Sequence, residues 1–300
     1  MPKIKDRVSF YEQIARNKRN SIILMAIIIA VFILLAYVIS LIYQQDAFFI
    51  LIIGIIVSIS YVLISYYNSD KIALASVNAK EADYNEYRQL HHSVEGLCLA
   101  SGMPKPKIYI IPGQQINAFA SGRDPKHSVL AVTEGLVEKL NKQELEGVIG
   151  HELSHVANYD IRFMTLAAVM VGMIAIIAQI FLRSLWFSRG SSGGKDRGKA
   201  NAALLLIGIL LAILAPIAVQ LVQLAISRKR EYVADASSVK FTRSPTGLIG
   251  ALKKIKNDSE KIKVSGAVAP LFIENPLKRV SGLFQTHPPI EKRIEILERM

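Results

Sequence analysis

The sequence predicts a mainly α-helical membrane protein, with four apolar helices and a remainder that folds outside the bilayer around a small β-sheet. Three observations carry this. Of 300 residues, 51% are hydrophobic, more than an ordinary globular domain needs. The excess collects in four runs, 21–43, 47–67, 163–182 and 203–226, each near the ~20 residues with which a helix crosses ~30 Å of hydrocarbon. None of the four contains Asp, Glu, Lys or Arg, each of which is costly inside a bilayer.

The first run follows Arg16, Lys18 and Arg19, as the core of a secretory signal would. It is too long for one, no small-residue cleavage site follows, and a second run begins after a few polar residues. Residues 21–67 therefore read as a retained helical hairpin. Its connection, 44–46, has no Lys or Arg and makes a natural external turn. That places 1–20 in the cytosol and returns 68–162 to it as a folded, water-exposed part.

Within that part, 71–102 reads as helical, 108–111 and 128–133 as short strands, and 121–126 as the turn of a hairpin-like connection. Helix signals return at 134–140. Asn141, with Glu144 three positions on, resembles a capping box that starts the helix containing residues 151–155. The second membrane pair, 163–226, is interrupted by a Gly/Ser-rich loop, 183–200, with five basic residues. Either that loop is translocated against its charge or the two helices form a shallow hairpin; we expect them to span. The number of crossings is even in both cases, so 227–300 returns to the side of 68–162.

A net charge of +12 raises the question of nucleic acid. Six Lys and Arg precede the first run, however, and Arg228, Lys229 and Arg230 directly follow the last. That is where the positive-inside rule puts them on an anionic membrane, so the expected partner is the lipid bilayer and not nucleic acid. The single cysteine, Cys98, forbids an internal disulfide and reads as a small buried apolar residue.

The segment His151-Glu152-Leu153-Ser154-His155 places two imidazoles at i and i+4 on one helix face, where they can grip one zinc ion. Glu152 then stands where a carboxylate can take a proton from water activated by the metal. Alone the five-residue pattern is only suggestive, and it needs a third ligand. Glu231 is the best candidate, with Asp235 one turn further on the same face, where it can receive the N–H of a ligand histidine. The plain alternative for Glu231 is an exposed acid among Arg228, Lys229 and Arg230. At ~1.5 Å per residue, His155 stands roughly 12 Å before the third run and Glu231 roughly 8 Å after the fourth, so two antiparallel helices leaving the bilayer can hold one ion between them.

These residues, together with Asn117-Ala118-Phe119-Ala120, Asn158, Asp160, Thr286-His287-Pro288-Pro289 and Arg293-Ile294, resemble the HtpX-type membrane metalloproteases, relatives of the CAAX prenyl endopeptidases. The elements occur in family order and cover nearly the whole chain. The resemblance implies a gluzincin-like fold, zinc peptidase activity and a role in membrane-protein quality control and the stress response. It implies that Asn117, Ala118, Phe119 and Ala120 belong to an edge strand aligning an extended substrate; the alternative is an ordinary turn or strand end. It implies that His287 and Arg293 contact substrate or the developing oxyanion, where the alternatives are a helix cap and a solvated charge.

Other classes fit less well. An intramembrane protease would bury its motif in hydrocarbon, but Asn141, Lys142, Glu144, Asn158, Asp160 and Arg162 surround this one. A structural zinc scaffold would show four protein ligands, often with cysteine. A transporter has only Gln220, Gln223 and Pro216 in the last run to recommend it. The expectation is an integral-membrane endopeptidase with one Zn2+ per chain. It cuts misfolded or unfolded proteins, membrane proteins among them, at the cytosolic face of the cell membrane.

Overall fold

The computed structural model describes residues 10–40, 46–190, 207–209, 228–260, 264, 269–274 and 288–300. Helices α1 (Phe10–Ser40) and α2 (Ala47–Tyr67) pack against each other. At their contact, a Cβ on Gly54 would come within 2.2 Å of the Ala36 Cβ, the close approach of small residues by which helices associate in lipid. The other side of α2 presents Phe48, Phe49, Ile53, Ile56 and Ile64 to its surroundings, a surface suited to hydrocarbon and not to water.

Two helical stretches among the described residues are long and apolar enough to cross a membrane, Ile14–Tyr37 and Ala47–Tyr67. Four were expected. The third run lies inside one continuous helix, which begins at Asp160 and runs to Gly190. Of the fourth, only 207–209 is described, and it is helical; the rest of that run and residues 191–200 of the basic loop lie outside the described residues.

The single helix expected over 71–102 is in fact broken. It divides into α3 (Ser69–Ser76), a short strand β1 (Lys80–Glu81) and α4 (Arg88–Ser101). Asn78 adopts a left-handed conformation with φ 52°, which ends α3. Asp83 then accepts hydrogen bonds from the backbone N–H groups of Asn85 and Glu86, a local turn that competes with helix. Cys98, on α4, is buried with its thiol pushed up to about 11 by burial, which makes it inert as a nucleophile.

Strands β2 (Lys107–Ile111), β3 (Ala118–Gly122) and β4 (Ser128–Thr133) complete a four-stranded mixed sheet in the order β1-β2-β4-β3. The turn between β3 and β4 therefore begins after Gly122, slightly later than its expected start. Both faces of the β2-β4-β3 part of the sheet are largely buried, and alternate residues serve different cores. Ile111, Phe119, Val129 and Ala131 pack with the membrane helices. Ile108, Ile110, Ala118, Leu130 and Val132 pack with α4 and the helices beyond.

After α5 (Glu134–Lys139) comes α6 (Lys142–Ala157), which starts at the expected capping box: Asn141 accepts from the Glu144 N–H, and Glu144 accepts from the Asn141 N–H. Helix α7 (Asp160–Gly190) follows, then α8 (Arg228–Thr242), α9 (Thr246–Asn257) and α10 (Ile290–Leu297). Helix α6 is the hub of this half because two glycines on one face admit its neighbours. A Cβ on Gly147 would stand 2.5 Å from the Leu248 backbone nitrogen in α9, and one on Gly150 would stand 2.9 Å from Ser238 Oγ in α8. Ser238 Oγ donates to the Gly147 carbonyl across the same contact, at 2.6 Å. Gly147→Ala should therefore force α6 and α9 apart and destabilise the protein by about 1–3 kcal/mol. A thermal-unfolding midpoint in detergent equal to that of wild type would contradict this packing.

Candidate metal centre

Helix α6 presents His151 and His155 one turn apart, and α8 runs alongside it carrying Glu231 and, one turn on, Asp235. The residues read from sequence as metal ligands thus come together. His151 Nε2 and His155 Nε2 lie 3.3 Å apart, Glu231 Oε2 is 3.5 Å from the first, and Glu231 Oε1 is 3.6 Å from the second. The three ligand atoms lie within 4.8 Å of one another, and all three residues are buried.

Each imidazole is held from behind. His151 Nδ1 is 2.9 Å from Asp235 Oδ1, and His155 Nδ1 is 3.1 Å from Asp160 Oδ2. Both Nδ1 atoms then carry the proton and donate it to a carboxylate, which leaves the Nε2 lone pairs facing each other and Glu231. Two lone pairs and a carboxylate converging in a buried space repel one another unless added protons or a metal cation lie between them. This donor set, two imidazoles and one carboxylate, suits zinc with a coordination position left open.

The charges respond accordingly. Burial, and then Arg293, pull the His151 pKa down, yet Asp235 and Glu231 outweigh them and lift it to about 9. Burial also opposes the charged form of His155, but Asp160 and Glu231 raise it above the ordinary histidine range. Burial pushes the Glu152 carboxyl up, against the neighbouring His151 and His155. Asp235 is held low despite its burial because Arg293 lies beside it.

Glu152 is buried at the site, where its Oε2 accepts the Ala120 N–H at 2.9 Å. Strand β3 is the edge strand of the sheet next to α6. Its outward-facing groups are partly engaged: the Ala118 carbonyl accepts the Ile273 N–H at 2.9 Å, and the Asn117 side chain donates to the Glu274 carbonyl at 2.8 Å. The Phe119 ring packs edge-on against Phe272. Arg293, on α10, is fully buried and donates through Nε and Nη2 to the two Asp235 oxygens at 2.9 and 2.6 Å, with Nη1 3.9 Å from Glu231 Oε2. His287 lies outside the described residues.

Asp160 carries no expected role at the metal in the sequence reading, yet it stands behind His155. It lies beyond the end of α6, past Tyr159 in a left-handed conformation (φ 58°) that turns the chain back under His155. The signal available was an acidic residue five positions after the second histidine, a spacing that ordinary helical geometry would not bring to that ring.

Residues 84–300 match the family model described as peptidase family M48. The chain belongs to peptidase family M48. A protease HtpX homologue of Lactobacillus helveticus is 42% identical over 296 residues, covering 97% of this chain and 99% of that one. One from Caldanaerobacter subterraneus is 47% identical over 242 residues, covering 80% and 81%. One from Dictyoglomus thermophilum is 43% identical over 298 residues, covering 97% and 95%. Among solved structures, S. mikatae Ste24p is similar at a TM-score of 0.49 and 20% identity, covering 95% of this chain and 66% of that one, a likeness too distant to carry an argument about the site. As an M48 member the chain is a metalloprotease, a hydrolase whose substrates are proteins.

Two outcomes follow from this geometry. Below about 9, His151 in the metal-free protein is largely protonated, whereas a ligand imidazole must be neutral. Metal uptake at pH 7 should therefore release protons, and affinity should climb as pH rises toward 9. Binding enthalpies measured in buffers of different ionisation enthalpy should differ; identical enthalpies would contradict the assignment. Asp235→Asn removes the acceptor that fixes the His151 ring and leaves Arg293 facing a neutral amide. It should weaken zinc binding by roughly 10–100-fold in a chelator competition, and unchanged affinity would contradict the role given to Asp235.

Proposed function

We propose that this M48 protease is an integral-membrane, zinc-dependent endopeptidase that cuts extended segments of misfolded or unfolded proteins, membrane proteins among them, at the cytosolic face of the cell membrane. One observation carries the reading: His151, His155 and Glu231 converge beside the buried carboxyl of Glu152, on helices adjoining the membrane helices.

His151, His155 and Glu231 would hold one zinc ion per chain. Zinc, when bound, supplies a Lewis acid that polarises a carbonyl and eases the deprotonation of water. Glu152 takes the proton from the attacking water and later passes it to the leaving amine. A carboxyl whose pKa is raised by burial is suited to holding that proton between the two events. Asp235 and Asp160 keep both imidazoles in the tautomer that points Nε2 at the metal.

Arg293 acts chiefly through Asp235. Its Nε and Nη2 donate to that carboxylate, and Nη2 also lies 3.2 Å from His151 Nδ1, which favours a positioning role over the oxyanion contact expected from the resemblance. The oxyanion contact then falls to His287 alone, on the strength of the resemblance. Asn117–Ala120 align the substrate backbone. Because the Ala118 carbonyl is already paired with Ile273, a substrate strand would pair from Ala120 onward, in exchange for the Ala120 N–H bond to Glu152.

The topology proposed with this mechanism is a cytosolic segment 1–20, a transmembrane hairpin 21–67, catalytic parts 68–162 and 227–300, and a second membrane pair 163–226 that spans. A role in membrane-protein quality control accords with the similarity to HtpX homologues. The test is cleavage of an unfolded model protein by the full chain in detergent. Glu152→Gln should keep its zinc and lose activity by on the order of 10²–10⁴-fold. A variant that retains zinc and cuts like wild type would overturn the role of Glu152.

A further inference from the structure

The first membrane helix reaches into the metal centre. Asn17 lies near the start of α1, four residues before the apolar run, and is buried at 4% exposure. Its side-chain amide makes contacts that no local structure requires. Nδ2 donates to Asp160 Oδ1 at 2.6 Å and to the Asn158 carbonyl at 2.9 Å, and Oδ1 accepts from Arg230 Nη1 at 3.4 Å. Both amide hydrogens and the amide oxygen are thus engaged with residues more than 140 positions away in sequence.

What Asn17 touches is the turn that presents Asp160 to His155. Asp160 uses its two oxygens separately: Oδ2 faces His155 Nδ1, while Oδ1 receives Asn17 and lies 3.6 Å from Arg230 Nη1. The turn runs through Tyr159, a bulky residue with φ 58°, a conformation that stores strain unless its surroundings hold it. Helix α1 supplies two such holds, Asn17 on the Asn158 carbonyl and the Lys18 ammonium 4.2 Å from the centre of the Tyr159 ring. Arg230, in turn, directly precedes Glu231. Asn17 therefore sits where α1, the α6–α7 turn and α8 meet, one hydrogen bond behind the partner of a metal ligand.

We propose that Asn17 is a positioning residue for the metal centre: by fixing Asp160 Oδ1 it sets the Asp160–His155 geometry, so that the membrane helix α1 is an integral part of the metal site and more than an anchor. This rests on the reading of His151, His155 and Glu231 as the metal ligands.

The test is a thermodynamic cycle on zinc affinity, measured by chelator competition on the full chain in detergent for wild type, Asn17→Leu, Asp160→Asn and the double variant. Asp160→Asn should weaken binding by roughly 10–100-fold, and Asn17→Leu by about 5–10-fold. If Asn17 acts through Asp160, the double variant should bind no more weakly than Asp160→Asn alone. Asn17→Asp, similar in size and setting a second carboxylate against Asp160, should also lose affinity, and it serves if Asn17→Leu does not fold.

A purely structural role for Asn17 would lower the unfolding midpoint and leave zinc affinity at the wild-type value, or give losses that multiply in the double variant; either result overturns the proposal. Wild-type protein that binds no zinc would overturn the metal reading itself, and the proposal with it, whereas wild type that binds while Asn17→Leu binds equally well overturns only the proposal.

Discussion

The structure turns on a charge imbalance in a buried place. Glu152, Asp160, Glu231 and Asp235 are each 2% exposed or less, and the guanidinium groups set among them are those of Arg230 and Arg293. Four carboxylates against two arginines leave a deficit of two positive charges, in surroundings where an unbalanced charge is costly. Protonation of Glu152 and the two histidines relieves it in the metal-free protein, which is the direction in which their pKa values move. A divalent cation would relieve it in another way, and the Nε2 atoms with Glu231 form a group that could hold one.

The rest of the fold holds that cluster shut. Gly147 and Gly150 let α8 and α9 lie close against α6, which brings Glu231 within reach of both imidazoles. The edge strand β3 closes another side, with the Ala120 N–H on Glu152. Helix α10 inserts Arg293 behind Asp235, and α1 inserts Asn17 behind Asp160. Each imidazole thus has a carboxylate at its back, and each carboxylate is fixed by a further side chain from a different helix. Helix α1 and the helices that carry the histidines and Glu231 therefore share one polar network.

Much of this was legible because it is local. The H-E-x-x-H spacing, the Glu231/Asp235 pair and the Asn141/Glu144 cap all repeat at helical intervals, and the first two apolar runs declare themselves by composition. What escaped was of two kinds. The first is backbone that leaves the helical region at single non-glycine residues: Asn78, which breaks the helix expected over 71–102, and Tyr159, which folds Asp160 back toward His155. The second is pairing between distant side chains. Nothing near Asn17 in sequence announces a partner at Asp160, and Arg293 gives no sign that Asp235 will engage both its Nε and Nη2.

The central claim is that one metal ion sits on His151, His155 and Glu231. The most direct measurement is X-ray absorption at the zinc edge on the zinc-loaded full chain, combined with metal content per chain. The account predicts one ion per chain, with two imidazole nitrogens at about 2.0–2.1 Å and carboxylate oxygen in the same shell, and loss of the imidazole signature when both histidines are replaced by alanine. A spectrum without histidine scattering, or one unchanged in the doubly substituted protein, would place the metal elsewhere and contradict the account.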